Sequence, residues 1–195
     1  MKRLIPLLLA VIMIFSLSAC GEKGFPKGEV KDNVYTHETF GITFTSPEGF
    51  KFYSDKEIAA LYGTTAEVLN ANSAIIYDMQ CGNTATNASV SITYEDMPAL
   101  YGVNLDDDSY LTLNLASLRT SYDSAEDVEI KAMEKVAVTV SGSEYNGATL
   151  TLDVKGAPLY ETIFVMENGG YMMRFTAAAQ DEAELQNLID AVVIG

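Results

Sequence analysis

The sequence is poor in the side chains on which many catalytic and metal sites depend. It contains two cysteines, one histidine and no tryptophan in 195 residues. Zinc sites draw on several Cys and His side chains at short spacings, and no such spacing occurs here. A Ser–His or Cys–His nucleophile would depend on His37 alone. Because His37 stands between Thr36 and Glu38 in a predicted strand, we expect a solvated side chain and no catalytic role.

Basic residues are also scarce. The chain has 12 Lys and Arg residues and 27 Asp and Glu residues, which gives a formal net charge of −15. Nucleic-acid binding requires a basic footprint, so this class of partner is excluded. The acidity is explained by solubility or by a basic partner, and solubility is the simpler explanation. No phosphate-binding loop or dinucleotide-binding motif occurs, and no cofactor is expected.

The amino terminus has the pattern of an export signal. Lys2 and Arg3 precede an apolar run at residues 4–17, which is too short to span a bilayer. The run ends in Leu17-Ser18-Ala19-Cys20, followed by Gly21. This motif resembles the lipobox of bacterial lipoproteins, which implies cleavage before Cys20 and lipidation of its thiol. The alternative is an ordinary secreted protein that is cut near Ala19.

The lipobox resemblance predicts where the protein resides. Residues 1–19 form the signal peptide, and fatty acyl chains on Cys20 attach the chain to the bacterial cell membrane at its extracytoplasmic face. Two or more acyl chains anchor a protein stably without spanning the bilayer. Residues 20–33 are polar, with several glycines and a proline, and predict a flexible tether with a reach of about 20 Å.

Cys81 is the remaining thiol if Cys20 carries lipid, so no intrachain disulfide is expected. Cys81 continues an apolar row with Tyr77 and Met79 at the strand period of two. No Lys, Arg or His lies nearby in sequence, and reactive thiols need an electropositive setting. The pattern predicts a buried structural thiol.

Residues 34–195 predict one α+β domain built on a largely antiparallel sheet with helices on both faces. Alternating apolar and polar residues indicate strands near residues 34–52, 74–94 and 128–177. Ser54 and Glu57 form a capping-box pattern, and Asp181 with Glu184 opens a final helix. A stripe of Leu, Leu, Leu and Tyr predicts another helix over residues 109–122. Tyr145-Asn146-Gly147 predicts a hairpin turn.

Residues 95–108 form the longest segment without a clear period, and long loops are often functional. We take it as the candidate interaction loop, with Tyr101, Asp106 and Asp108 as its candidate residues. Asn104, Asp106 and Asp108 also alternate like the first ligands of a calcium loop. Because the glycine and glutamate that such a loop needs are absent, acids at a helix start are the favoured interpretation, and no metal site is predicted.

Two segments carry a resemblance to a known family. The opening from Tyr35 to Phe50, with its Pro47-Glu48-Gly49 turn, is similar to the first strands of PsbP-like (Mog/DcrB-like) domains. The strand beginning at Gly147 and the Asn168-Gly169-Gly170 turn with its following strand and helix resemble the end of these domains. The resemblance implies a single-domain α/β/α sandwich that acts by binding other proteins. No functional residue carries over, because the matching positions are turns and core strands.

The sequence therefore predicts a membrane-anchored lipoprotein that acts as a non-enzymatic binding or accessory module in the cell envelope. Such a module binds a protein or a small ligand, and an unknown envelope protein is the expected partner. The alternative is an envelope hydrolase that uses dispersed carboxylates, which need two carboxyls at a defined separation. A structural subunit of an envelope complex is a third possibility.

Overall fold

The computed structural model describes residues 25–71 and 74–195, so the predicted signal peptide, Cys20 and the first part of the predicted tether lie outside the described residues. The strands are β1 (Glu29–Lys31), β2 (Val34–His37), β3 (Ile42–Thr45), β4 (Lys51–Phe52), β5 (Ile75–Asn83), β6 (Ala88–Asp96), β7 (Val128–Val140), β8 (Ser143–Val154), β9 (Ala157–Asn168), β10 (Tyr171–Ala179) and β11 (Val192–Ile194). The α-helices are α1 (Asp55–Leu61), α2 (Ala66–Ala71), α3 (Met97–Tyr101), α4 (Asp107–Asp123) and α5 (Glu182–Asp190).

The main sheet has seven strands in the order β4-β5-β6-β10-β9-β8-β7. All of its neighbouring strands pair antiparallel. Short turns join several of these neighbours, which is the connection that antiparallel pairing permits. A second sheet, β1-β2-β3-β11, brings together strands from the two ends of the described chain.

Helices cover both faces of the main sheet. Successive strand residues point to opposite faces, and Ile163 and Phe164 on β9 show the division. Ile163 packs in a cluster with the apolar side of α4, including Leu111. Phe164 packs in the other cluster with Leu188 of α5 and with the second sheet. This arrangement confirms the predicted α+β fold, with a largely antiparallel sheet between helical layers.

The helices begin where polar side chains cap them. The Ser54 hydroxyl accepts a hydrogen bond from the Glu57 amide, and the Glu57 carboxylate accepts one from the Ser54 amide. These two bonds form the predicted capping box of α1. Asp181 caps α5 through the amide of Glu184, also as predicted. No helix in the part of the chain that the structure describes is long and apolar enough to cross a bilayer.

The predicted hairpin turn at Gly147 is wrong. Residues 145–147 lie inside β8, and the turn falls at Ser141 and Gly142, whose φ angles are 51° and 81°. Glycine is required at position 147 for a steric reason, because a Cβ there would lie 2.3 Å from the Ile163 carbonyl oxygen. The glycine therefore permits close approach of two strands and does not mark a turn.

The described part of the predicted tether is also ordered. Phe25 packs among aromatic rings, and β1 pairs with β2 from Glu29 to Lys31. His37 differs from its prediction as well, since it is buried with 3% of its surface exposed. Sequence periodicity missed both features because the rings that cover Phe25 and His37 come from distant strands. Cys81 is fully buried as predicted, and burial raises the pKa of its thiol.

Candidate functional site

The candidate interaction loop is more regular than its sequence suggests. Glu95 and Asp96 complete β6, and residues 97–101 form the short helix α3. Asp96 caps that helix by accepting a hydrogen bond from the Ala99 amide at 2.9 Å. Gly102 ends it with a φ of 73°, a backbone conformation that glycine adopts without strain. The irregular part of the segment is therefore residues 102–106.

Tyr101 stands at the boundary between solvent and core. Its side chain is 40% exposed, and its hydroxyl donates to Glu95 Oε2 at 3.1 Å. Burial and the neighbouring Glu95 carboxylate raise the pKa of this tyrosine. Val103, two residues along, is 56% exposed. Together these side chains place an apolar surface beside the start of α4.

Asp106 and Asp108 belong to the start of α4, as the favoured interpretation predicted. Asp106 accepts a hydrogen bond from the Ser109 amide at 2.7 Å, and this bond lowers the pKa of Asp106. Asp108 pairs with Lys135 on β7. Both carboxylates thus stabilise the helix start locally, through the free amides and the helix dipole.

An open cavity of about 720 Å³ lies at this end of α4. It is lined by Asn104, Leu105, Asp106, Asp107, Asp108, Ser109, Asn146 and Glu167. Four of these residues, Asp106, Asp107, Asp108 and Glu167, carry carboxylates, so negative charge is concentrated here. Burial, and secondly Glu167, raise the pKa of Asp107. Such a lining attracts a cation or a basic side chain and repels anions. Within residues 25–71 and 74–195, no three His, Cys, Asp or Glu side chains are arranged to hold a metal ion.

A buried polar cluster lies beneath α3 and α4. Arg174 on β10 is 7% exposed, and its Nη1 atom lies 3.6 Å from Glu95 Oε1. Glu161 on β9 is 5% exposed. The Tyr122 hydroxyl donates to its carboxylate and lies 3.0 Å from Oε2 and 3.2 Å from Oε1. Burial raises the pKa of Glu161 to about 7. The cluster therefore contains the Arg174–Glu95 ion pair and a second carboxyl, Glu161, whose raised pKa favours the protonated form.

Two polar atoms of this cluster lack a hydrogen-bond partner among the described residues: Arg174 Nη1 and Thr93 Oγ1. Cross-strand pairing places Thr93 opposite Arg174. Burying a polar group without a partner is costly, so these atoms lower the stability of this part of the sheet.

Sequence reasoning missed this cluster, although a signal was present. Arg174 alternates with Met172 and Thr176 along one face of a strand, and Glu161 precedes Ile163 and Val165 on the matching face. A charged residue in an otherwise apolar strand row indicates a buried charge when both faces of the sheet are covered. Tyr101 connects the buried polar cluster with the candidate interaction loop, because its hydroxyl donates a hydrogen bond to Glu95.

Comparisons with known proteins find structural similarity only. No protein-family model matches the chain, and no curated protein matches it significantly. The solution structure of cyanobacterial PsbP (CyanoP) from Synechocystis sp. PCC 6803 is similar at 12% identity and a TM-score of 0.49, covering 92% of this chain and 99% of that chain.

A second similar structure is LpqN of Mycobacterium tuberculosis, which is described as involved in cell envelope biogenesis. Its identity is 10% and its TM-score is 0.46, over 78% of this chain and 82% of that chain. At this level of similarity no functional residue passes from either protein to this chain. Membership of the PsbP-like family stays a prediction from the sequence motifs.

Proposed function

We propose that the protein is a lipid-anchored, non-enzymatic binding module of the bacterial cell envelope, and that the surface around residues 101–109 contacts its partner. The observation that carries the proposal is the open acidic cavity beside the exposed side chains of Tyr101 and Val103. The lipobox at Cys20 supports the location.

The chemistry of this surface favours one kind of partner. Asp107 and Glu167 line the cavity, and Val103 supplies apolar area at its edge. A protein segment that combines a Lys or Arg with an apolar neighbour would satisfy both features. Charge complementarity of this kind speeds association and selects partners more than it adds affinity. The partner we expect is therefore an envelope protein with an exposed basic segment.

The burial of Glu95 and Glu161 argues against hydrolysis by these two carboxyls. A general acid or base must come within hydrogen-bond reach of its substrate. Glu95 and Glu161 are both at most 5% exposed and are already bonded to tyrosines. Envelope hydrolysis by dispersed carboxylates remains the alternative function. Hydrolysis by Glu95 or Glu161 would require α3 and α4 to move away from the sheet, whereas Asp107 and Glu167 already line an open cavity.

Two valines with the same exposure provide a matched test. Val103 at the proposed surface and Val193 on β11 are each 56% exposed. The wild-type lipoprotein, the Val103→Ser variant and the Val193→Ser variant are purified from native membranes under mild crosslinking, and the captured proteins are quantified. We expect Val103→Ser to lose its captured partner while Val193→Ser retains it. Equal capture by both variants contradicts the proposed surface.

A further inference from the structure

The first four described residues, 25–28, form a segment that we call the strap. The Phe25 ring lies in a pocket of four rings, with centroid distances of 5.2 Å to His37, 6.0 Å to Phe40, 5.0 Å to Tyr94 and 4.2 Å to Tyr171. These rings come from both sheets and from the 3₁₀ turn after β2. Aromatic pairs at such distances stabilise packing beyond their buried area.

Polar contacts hold the remainder of the strap. The Pro26 carbonyl accepts a hydrogen bond from His37 Nε2 at 2.9 Å, and the Gly28 amide donates to Asp78 Oδ2 at 2.8 Å. Lys27 Nζ lies 3.4 Å from Asp55 on α1 and donates to Asn70 on α2 at 3.1 Å. Every residue of the strap is therefore tied to the domain.

Gly28 is required for this path across the surface. A Cβ at that position would lie 2.4 Å from Tyr35 Cε2 and 2.7 Å from the Thr36 carbonyl oxygen. The strap consequently lies flush against Tyr35, whose hydroxyl donates to the same Asp78 carboxylate at 2.6 Å. Phe25 is thus part of the packed domain.

This position limits the distance between anchor and domain. Phe25 follows Cys20 by five residues, a length of chain that spans at most about 18 Å when fully extended. Phe25 also marks one end of the main sheet. It packs on Tyr171 at the start of β10, and the neighbouring Gly170 approaches Asn104 of the acidic cavity. The turn at residues 84–87 lies at the other end of the nine-residue strands, about 30 Å away.

We propose that the strap clamps the domain to its lipid anchor in one orientation, with the acidic cavity and α3 facing the bilayer and the β5–β6 turn facing away. This inference rests on the proposed lipid anchor. This orientation narrows the class of partner. It places the surface around Val103 next to the membrane, so the partner is a protein embedded in the membrane or bound to its surface. A diffusing partner that approaches from the periplasm or the medium meets the opposite end.

The test measures energy transfer from the full-length lipidated protein to acceptor-labelled lipid in phosphatidylcholine vesicles. One donor is attached through Val103→Cys and another through Ala85→Cys in the exposed β5–β6 turn. Cys81 is fully buried, which keeps labelling selective. We expect transfer from position 103 to exceed transfer from position 85 by about twofold or more, because the two sites lie about one strand length apart.

Two variants connect that difference to the strap. Phe25→Ala empties the aromatic pocket and should bring the two transfer efficiencies together. A ten-residue Gly-Ser insertion between Gly24 and Phe25 leaves the strap contacts intact and should have the same effect without changing the melting temperature. Equal transfer from both sites in the membrane-bound wild type contradicts the orientation and leaves the anchor standing. Wild-type protein that stays in the supernatant contradicts the anchor as well.

Discussion

At the scale of single residues, Glu161 is the group with the clearest consequence for stability. Its pKa in the folded protein is about 7, above the ordinary value of 4.5, because the carboxyl is buried under α4. A folded-state pKa that is raised means that folding favours the protonated form. The stabilisation is complete below pH 4.5 and is lost as the pH rises through about 7. Between pH 5 and pH 8 we expect this group to lower the free energy of unfolding by about 2 to 3 kcal/mol.

The Glu161→Gln variant should remove this dependence. Glutamine keeps the volume and still offers an oxygen to the Tyr122 hydroxyl, but it cannot become charged. Urea unfolding at pH 5 and pH 8 measures the difference, with Glu134→Gln on the exposed side of β7 as the control. Parallel pH profiles for wild type and Glu161→Gln would show that Glu161 is not the titrating group.

At the scale of elements, the β8–β9 pair depends on one glycine. A Cβ on Gly147 would lie 2.3 Å from the Ile163 carbonyl oxygen and 2.5 Å from Val138 Cγ2. Gly147→Ala should therefore destabilise the domain by about 1 to 3 kcal/mol, the usual cost of overpacking a core. Thr149→Ala, an exposed position on the same strand, should change stability by less than about 0.5 kcal/mol. Thermal unfolding of the two variants compares them, and equal melting temperatures would contradict this account.

The elements also show how far the sequence predicts the fold. Ser54 with Glu57 and Asp181 with Glu184 were sufficient to place the starts of α1 and α5, because capping is decided by residues three positions apart. The predicted hairpin turn at Gly147 is wrong because contacts with β9 and β7 determine the backbone conformation there. The short helix α3 was missed since five residues carry too little periodicity.

The local structure around the candidate residues was predicted in part. Asp106 and Asp108 were placed correctly at a helix start, since a run of acids before an apolar stripe is a local signal. The burial of Arg174 and Glu161 is a tertiary property, because it arises only when α4 covers the sheet. The same holds for Phe25, whose pocket is made by strands that follow it by up to about 150 residues.

At the scale of the whole molecule, the proposed lipid anchor at Cys20 predicts that the domain acts at the membrane. Cys20→Ser cannot accept a diacylglyceryl group, so we expect the variant to leave the membrane fraction or to retain its signal peptide. Fractionation of cells followed by mass spectrometry of the amino terminus measures both outcomes. Ala85→Ser, in the exposed turn, serves as the control that stays with the membrane. Unchanged partitioning of Cys20→Ser would contradict the anchor.

The pairing of β11 with β3 sets an order of assembly. Val192 aligns with Phe44, so β3 pairs with a strand that follows it by about 150 residues and is made much later. Such a long sequence separation slows folding. Strands β1 to β3 can pair with one another early, but the edge of β3 beside Phe44 stays uncovered until residues 192–194 have been made. The second sheet is therefore complete only when residues 192–194 are free to pair with β3.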